Sequence, residues 1–145
     1  MPNDCRNFVT ITGEPETIKL LVEKKLDFDF FVPTPNDLVD GDALIQWRYN
    51  NWGTKWCPYE YQEKQIGVRG MRVAFYSAWN PPFHFFEKLL EKFPGIWIKC
   101  EWHEEGGYAG VWVGNKDEIK ELTWMDMCLE AEHYAFQNNE ETGSS

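Results

Sequence analysis

Two cysteine–histidine pairs have the residue types of a metal site, Cys100 with His103 and Cys128 with His133. Zinc requires its cysteine and histidine ligands to converge on one point. Residues three apart on a β-strand point to opposite faces, and residues five apart on a helix diverge. The spacing therefore predicts that neither pair holds a metal.

A second group that could do chemistry is Glu101 with His103, which would share one face of a predicted strand. A carboxylate beside a histidine can orient it as a general base. No nucleophile accompanies this pair, and the sequence contains neither a Gly-x-Ser-x-Gly elbow nor a catalytic cysteine signature. We therefore predict a protein that is not an enzyme and uses no cofactor.

The segment from Asn51 to Trp56, Asn-Trp-Gly-Thr-Lys-Trp, groups two tryptophans with a glycine and a lysine. Tryptophan can stack on a flat ligand or anchor a partner's pocket, and glycine lets a backbone approach closely. The spacing of a phosphate-binding P-loop is missing. One hypothesis is a binding loop made of Asn51, Trp52, Thr54, Lys55 and Trp56. The alternative is that both tryptophans plug the edge of the fold and hold a long loop in place.

The negative charge of the chain is concentrated in its last third. The 145 residues carry 24 acidic and 14 basic side chains, for a net charge of −10. Residues 101–145 hold 11 of the acidic residues, with Lys116 and Lys120 as their basic ones. Because phosphate contacts need lysine and arginine, this third is unsuited to duplex nucleic acid. It either forms a solvated surface or docks on a basic partner.

Hydrophobic alternation and helical periodicity divide the chain into eight elements. The predicted strands are 7–12, 43–49, 71–79, 96–103 and 108–113, and the predicted helices are 15–26, 81–93 and 117–134. The second helix would begin after an N-cap at Asn80 with proline at its first position. Glycine and proline punctuate residues 51–70, which we predict to be irregular.

The element order is β-α-β-β-α-β-β-α, and its first six elements match the split β-α-β pattern of a ferredoxin-like sandwich. We predict an α+β fold in which two helices cover one face of an antiparallel sheet that has an extra edge strand. The ferredoxin-like domain would span residues 1–114. An added C-terminal helix would span 115–137 and pack on it, and 138–145 would form a frayed tail.

Strand alternation also predicts an aromatic sheet face that points away from the first two helices. Its aromatic members would be Phe8, Tyr76, Trp97, Tyr108 and Trp112, interleaved with the cations Arg6, Arg72 and Lys99. Aromatic rings and cations on an open sheet are typical of surfaces that stack single-stranded RNA, and the same platform could hold a nucleotide. The alternative is that the apolar stripe of the 117–134 helix buries this face.

Four short pieces of sequence resemble a known family. They are Met1-Pro2-Asn3 with Asn7-x-Val9-Thr10-Ile11-Thr12-Gly13, Asn51 to Trp56, Ser77-Ala78-Trp79-Asn80-Pro81-Pro82, and Phe93-Pro94-Gly95. Together they resemble the phage and plasmid YubB-type family of small ferredoxin-like proteins over about residues 1–114. The resemblance implies a ferredoxin-like fold and a mobile-element context, and it supplies no catalytic residues.

Our first functional hypothesis is an anti-defence protein of a phage or plasmid, such as an anti-CRISPR-like inhibitor. It would act in the cytoplasm of a bacterial host by docking an acidic surface on a basic face of a defence protein. The predicted docking residues are Glu121, Asp126, Glu130 and Glu132. The alternative is a domain that binds a small ligand or nucleotide on the aromatic sheet face.

No stretch of the sequence reaches the 18 apolar residues that a membrane span requires, so we predict no membrane association. The beginning of the sequence lacks a basic segment followed by an apolar run, so we expect no secretory signal. The four cysteines are widely scattered, and we expect them to be reduced thiols.

Overall fold

The computed structural model describes residues 3–123 and, within them, one sheet of six strands with four helices. The strands are β1 (Asp4–Thr12), β2 (Tyr59–Ile66), β3 (Gly70–Ala78), β4 (Trp97–Glu104), β5 (Ala109–Gly114) and β6 (Ile119–Thr123). The helices are α1 (Pro15–Glu23), α2 (Phe28–Phe31), α3 (Gly41–Asn51) and α4 (Phe83–Lys92).

The strand order in the sheet is β2-β3-β1-β4-β5-β6, and every neighbouring pair is antiparallel. Strands β2, β3, β1 and β4 with α1 and α4 form the split β-α-β unit of a ferredoxin-like fold. The β5–β6 hairpin extends the sheet beyond β4. Phe8 lies opposite Ala74 and Thr12 opposite Gly70, so β1 pairs with β3 along its whole length.

The core lies on the side of the sheet that faces α1 and α4. In β1, alternate residues Cys5, Asn7, Val9 and Ile11 are buried on this side. The helices add their apolar stripes, which comprise Ile18 and Leu21 of α1 and Phe85, Phe86, Leu89 and Leu90 of α4. The predicted α+β architecture, an antiparallel sheet with helices packed against it, is therefore confirmed.

The predicted second strand, 43–49, is wrong because these residues belong to α3. Leu44 is buried, and the Trp47 ring packs against the ring of Trp52. Leu44 and Trp47 are three residues apart, which places them on the same side of a helix. The place of that strand in the fold is taken by β2. The prediction that the β2 residues are irregular is also wrong.

The predicted C-terminal helix is wrong at its start, because Ile119–Thr123 forms β6. Gly110 lies opposite Thr123 and Gly114 opposite Ile119. The rest of that predicted helix and the predicted tail lie outside the described residues. The predicted N-cap at Asn80 is wrong as well, since α4 begins at Phe83 and its N-cap residue is Pro82.

The segment around Trp52 contacts the segment around Asn80, and both contain motifs noted in the sequence. The Thr54 hydroxyl donates a hydrogen bond to the Ala78 carbonyl at 2.6 Å, and the Ser77 hydroxyl donates to the Asn80 carbonyl at 2.7 Å. The Phe85 amide donates to the Trp52 carbonyl at 3.2 Å. These contacts fix the path of the chain between β3 and α4.

Gly53 is required where these two segments meet. Its φ is +83°, and a Cβ atom there would lie 3.2 Å from the Phe83 amide nitrogen and 3.3 Å from the Pro81 carbonyl oxygen. Both neighbours are backbone atoms at the start of α4, so they cannot rotate away. A side chain at this position would meet both backbone strain and a close contact.

We expect Gly53→Ala to destabilise the protein by about 2 kcal/mol or more in urea unfolding, because strain and contact add. Gly41 has a similar φ of +82°, and a Cβ atom added there would meet no atom within 4 Å. Gly41→Ala therefore isolates the strain, at about 1–2 kcal/mol. Gly95→Ala meets neither penalty and should be close to neutral. Equal losses at Gly53 and Gly95 would contradict this account of the junction.

Candidate functional site

The side of the sheet opposite α1 and α4, here called the open face, gathers aromatic and basic side chains. Strand pairing aligns them in rows across the sheet. One row contains His103, Arg6, Tyr76 and Tyr59, and the next contains Glu101, Phe8 and Ala74. A third row contains Lys120, Lys99 and Arg72, and Trp97 lies beyond it, opposite Thr12.

Arg6 holds the first two rows together. Its guanidinium carbon lies 4.6 Å from the ring centre of Tyr76 and 5.3 Å from that of Phe8. One of its amino groups donates a hydrogen bond to the Gln62 side-chain oxygen at 3.4 Å. Phe8 nevertheless keeps 42% of its surface exposed. The result is a layer of two rings and a guanidinium in which the Phe8 ring stays partly exposed.

Tyr59 extends this layer from β2. Its ring stacks on Tyr76 with centres 5.8 Å apart and planes 21° apart, and its hydroxyl donates a hydrogen bond to the Asp4 carboxylate. Burial and the neighbouring carboxylates of Asp4 and Glu105 raise the pKa of Tyr59 well above its usual value. The phenol therefore stays protonated and fixes the outer end of the layer.

Three cations form the row next to Phe8. Lys120 lies opposite Val113, Val113 opposite Lys99, Lys99 opposite Thr10, and Thr10 opposite Arg72. Each cation is two strands from the next, which separates them by about 10 Å. Carboxylates contact two of them on the surface. Lys99 Nζ lies 3.1 Å from a Glu101 oxygen, and Lys120 Nζ lies 3.4 Å from a Glu118 oxygen.

A shallow hollow of about 160 Å³ lies between the ring of Phe8 and this cation row. Its lining includes Phe8, Lys64, Arg72 and Glu101. The predicted face lacks Lys64, Tyr59 and Lys120, because the sequence does not predict β2 and β6 as strands. Only the pairing of these edge strands reveals that their side chains join the open face.

The predicted aromatic face is partly correct. Phe8, Tyr76 and Trp97 lie on it by register, whereas Tyr108 lies in the turn before β5. Placing Trp112 there is wrong, because it is 2% exposed on the core side opposite Cys100.

Trp112 is part of the hydrophobic core. Its ring stacks on Phe83 with centres 5.8 Å apart, and it also contacts Phe86 at 5.4 Å. The β4–β5 register decides which side of β5 is buried, because it places Val111 opposite Glu101 and Val113 opposite Lys99 on the open face.

The predicted binding loop contributes few accessible groups. Trp52 and Thr54 are fully buried, and Trp52 Nε1 donates a hydrogen bond to the Val32 carbonyl at 3.0 Å. Asn51 belongs to α3 and donates to the Trp47 carbonyl at 2.9 Å. Lys55 and Trp56 are half-buried, with the ammonium nitrogen 5.1 Å from a ring centre of Trp56. The groups of this segment that remain partly accessible are therefore Lys55, Trp56 and Asn51.

The predicted acidic docking surface falls mostly outside the described residues. Glu121 is exposed on β6, opposite Trp112. It therefore lies on a strand rather than on the predicted helix. Asp126, Glu130 and Glu132 lie outside the described residues, so the structure does not place them.

The structure also places the residues considered for a metal site and for a general base. Cys100 is buried on the core side, whereas His103 is exposed on the open face. Within residues 3–123, no group of three or more histidine, cysteine or acidic side chains could hold a metal ion. Glu101 and His103 share the open face, where Glu101 pairs with Lys99 and His103 lies 6.1 Å from the Phe8 ring centre.

A small polar cluster lies within the core beneath the open face. The Asn7 amide donates hydrogen bonds to the Ser77 hydroxyl at 2.9 Å and to the Cys5 carbonyl at 3.1 Å. The Cys100 thiol donates to the Asn7 side-chain oxygen at 3.6 Å. Burial raises the pKa of Cys5 to about 12 and that of Cys100 well above its usual value, so both remain unreactive thiols.

Comparisons with known proteins agree on the fold. Residues 51–144 match the family model described as the ferredoxin-like domain in Api92-like protein, which is more than half of the chain. The crystal structure of a protein Api92 from Yersinia pseudotuberculosis is similar, with a TM-score of 0.51 and 15% identity. The similarity covers 66% of this chain and 39% of that one. At this identity the likeness shows the fold alone.

No curated protein matches the chain. The narrower YubB-type resemblance and its mobile-element context remain predictions. No helix within residues 3–123 is long and apolar enough to cross a lipid bilayer.

We expect the free energy of unfolding to fall as the pH rises above about 9. The unfolded thiol of Cys5 loses its proton near pH 9, whereas the folded thiol keeps it until about pH 12. In this window the unfolded state binds fewer protons, so stability decreases by up to about 1.4 kcal/mol per pH unit for this group. Urea unfolding between pH 7 and about 10.5 measures the slope.

The matched variant is Cys5→Ala, which lowers the overall stability but also removes this titration. Its stability should therefore decrease less steeply above pH 9 than that of the unmodified protein. Identical slopes for the two proteins would contradict the buried-thiol explanation. The remaining slope would come from groups such as Cys57 and Tyr61, since burial raises their pKa values to about 11 and about 12.

Proposed function

The chain belongs to the family of ferredoxin-like domains in Api92-like proteins, and on this fold we propose a non-enzymatic binding function in which the open face holds single-stranded nucleic acid. The observation that carries the proposal is the layer formed by Arg6, Phe8 and Tyr76. It presents an exposed ring whose position is set by a cation from the same strand. A base can stack on such a ring whatever its identity.

The neighbouring cation row supports the same ligand. Phe8 is two residues from Thr10 along β1, so the exposed ring lies about 7 Å from the row that contains Lys99 and Arg72. A nucleotide stacked on Phe8 would therefore direct its phosphate toward positive charge. Arg72 makes no ion pair within residues 3–123, so its guanidinium is not tied to a carboxylate there. Glu101 lines the same hollow and forms its ion pair with Lys99.

The shape of the surface favours unpaired strands over duplexes. Bases must be unstacked before they can lie on a protein ring, and loops or single strands offer them in that state. A face that spans six strands is wide enough for several successive nucleotides. The concentration of carboxylates beyond residue 100 disfavours the broad phosphate contacts that duplex binding requires.

We expect Phe8→Leu to weaken binding of a fluorescently labelled ten-nucleotide oligouridine by roughly tenfold, because one stacked base is lost. Anisotropy titration at low salt measures the dissociation constant. The matched control is Phe30→Leu. Phe30 is 46% exposed, and a cation, Lys24, lies 4.6 Å from its ring centre, but it belongs to α2 rather than to the open face. Its replacement should leave binding unchanged.

Replacing Arg72 and Lys99 with glutamine should weaken the same complex and reduce its salt dependence. A mononucleotide added as competitor tests the smaller ligand, because full competition at low concentration would identify a nucleotide site. Absence of oligonucleotide binding at low salt would overturn the proposal. Equal losses for Phe8→Leu and Phe30→Leu would overturn the assignment to the open face.

A second candidate is the anti-defence function, in which an acidic surface docks on a basic bacterial defence protein. The observation in its favour is the charge distribution, with 11 acidic residues after position 100 and exposed Glu118 and Glu121 on the β5–β6 side of the sheet. Exposed carboxylates of one sign can steer a basic partner into contact.

For this candidate we expect replacement of the four predicted docking residues with glutamine or asparagine to slow association by roughly tenfold. The residues are Glu121, Asp126, Glu130 and Glu132. The partner would be a basic protein captured from host bacteria, and the measurement is the association rate at two salt concentrations. An unchanged rate without salt dependence would exclude acidic docking. Urea unfolding of the variant serves as the control for folding, because exposed charges contribute little to stability.

A further inference from the structure

A cavity of about 430 Å³ lies at one end of the sheet, away from the open face. It opens where β3 ends, where the β4–β5 turn begins and where the chain approaches α4. The residues that matter for its chemistry are Asn3, Trp79, Asn80, Trp102, Glu104 and Tyr108. We call this cavity the Trp79 pocket, and its volume suits a small ligand or one side chain of a partner.

Three aromatic rings form its walls. Trp79 is 50% exposed and Tyr108 is 71% exposed, while Trp102 is half-buried and packs edge-on against Phe83 at 6.1 Å. Two exposed rings and one half-buried ring therefore converge on a single cavity.

The backbone of Trp79 adopts a strained conformation that hydrogen bonds hold in place. Its φ is +69°, in the left-handed region that a tryptophan rarely adopts. The Trp79 amide donates a hydrogen bond to the Asn3 carbonyl at 2.8 Å. The carbonyls on either side of it, those of Ala78 and Asn80, accept from the Thr54 and Ser77 hydroxyls. The backbone that carries the ring is thus fixed in place before any ligand arrives.

The polar groups of the Trp79 pocket include several acceptors. Glu104 is the one carboxylate in its lining and makes no ion pair within residues 3–123. The side-chain amides of Asn3 and Asn80 add two carbonyl oxygens. No lysine, arginine or histidine is among the lining residues that the structure describes. A ligand for this cavity should therefore carry positive charge, several N–H donors and a flat surface.

We propose that the Trp79 pocket binds a guanidinium group, as found on an arginine side chain. Guanidinium is planar, stacks on aromatic faces and presents paired donors that match a carboxylate. A fully methylated ammonium would find the rings but would leave the oxygens without donors. This proposal concerns residues apart from the open face and does not rest on nucleic-acid binding.

The arginines of this sequence do not supply the guanidinium, so we look for it on another molecule. The sequence contains four arginines, all within residues 3–123, and none of them lines the Trp79 pocket. Residues 124–145 contain neither arginine nor lysine, so they cannot supply it. The source is either an arginine within a partner protein or a free arginine-like metabolite, and the two share the same side-chain chemistry.

Calorimetric titration of the full chain with Nα-acetyl-arginine amide tests the proposal, since this probe resembles an arginine within a protein. We expect it to bind more tightly than Nα-acetyl-lysine amide or choline. A titration with free arginine distinguishes a partner protein from a metabolite as the source of the guanidinium. Binding tighter than that of the blocked probe would identify a metabolite, and weaker or equal binding would identify a protein side chain.

Two pairs of variants assign the binding to this cavity. Glu104→Gln should weaken binding of the arginine probe about fivefold, whereas Glu101→Gln, three residues earlier on the same strand and on the open face, should not. Tyr108→Leu should weaken it by a similar factor, whereas Phe8→Leu should not.

Three results would overturn the proposal. The first is that the arginine probe fails to bind at concentrations up to roughly 20 mM, a range that still detects the weakest specific complexes. The second is that choline or the lysine probe binds more tightly than the arginine probe. The third is that both members of each variant pair lose affinity equally.

Discussion

The double pairing of β1, with β3 on one side and β4 on the other, is the constraint on which the rest of the structure depends. Nine residues of β1 pair with β3 and eight with β4, so every position of the strand is assigned to one of two faces. One face receives Val9, Ile11 and the buried amide of Asn7. The other receives Arg6 and Phe8. A shift by one residue would exchange the core side and the open face of the strand, and the Asn7–Ser77 hydrogen bond disfavours such a shift.

Strands and helices with one buried face can be predicted from the sequence, because their apolar residues recur at a regular spacing. Strands β1 and β3 and helices α1 and α4 have that pattern. The edge strands β2 and β6 do not, since nearly all their residues are exposed and mostly polar on both faces. Helix α3 is mistaken for a strand because a short run of mixed apolar residues fits either period.

The candidate sites are predictable to a smaller extent, because each depends on pairing between distant segments. Alternation within their own strands places Phe8 and Tyr76 correctly. It fails for Trp112, since the choice of face for β5 comes from its register with β4. The Trp79 pocket has no signal in the sequence. Its geometry depends on contacts from Asn3 and Thr54, which come from distant parts of the chain.

The polar edge strands also bear on how copies of the protein behave toward one another. Among residues 3–123, the outer sides of β2 and β6 carry backbone groups that another strand could pair with, and such edges are where sheets begin to aggregate. Both edges carry charge along their length, with Glu63 and Lys64 in β2 and Lys120 and Glu121 in β6. β2 is further interrupted by irregular pairing. Edge-to-edge growth into fibrils would have to desolvate these charges, which disfavours aggregation through either edge strand.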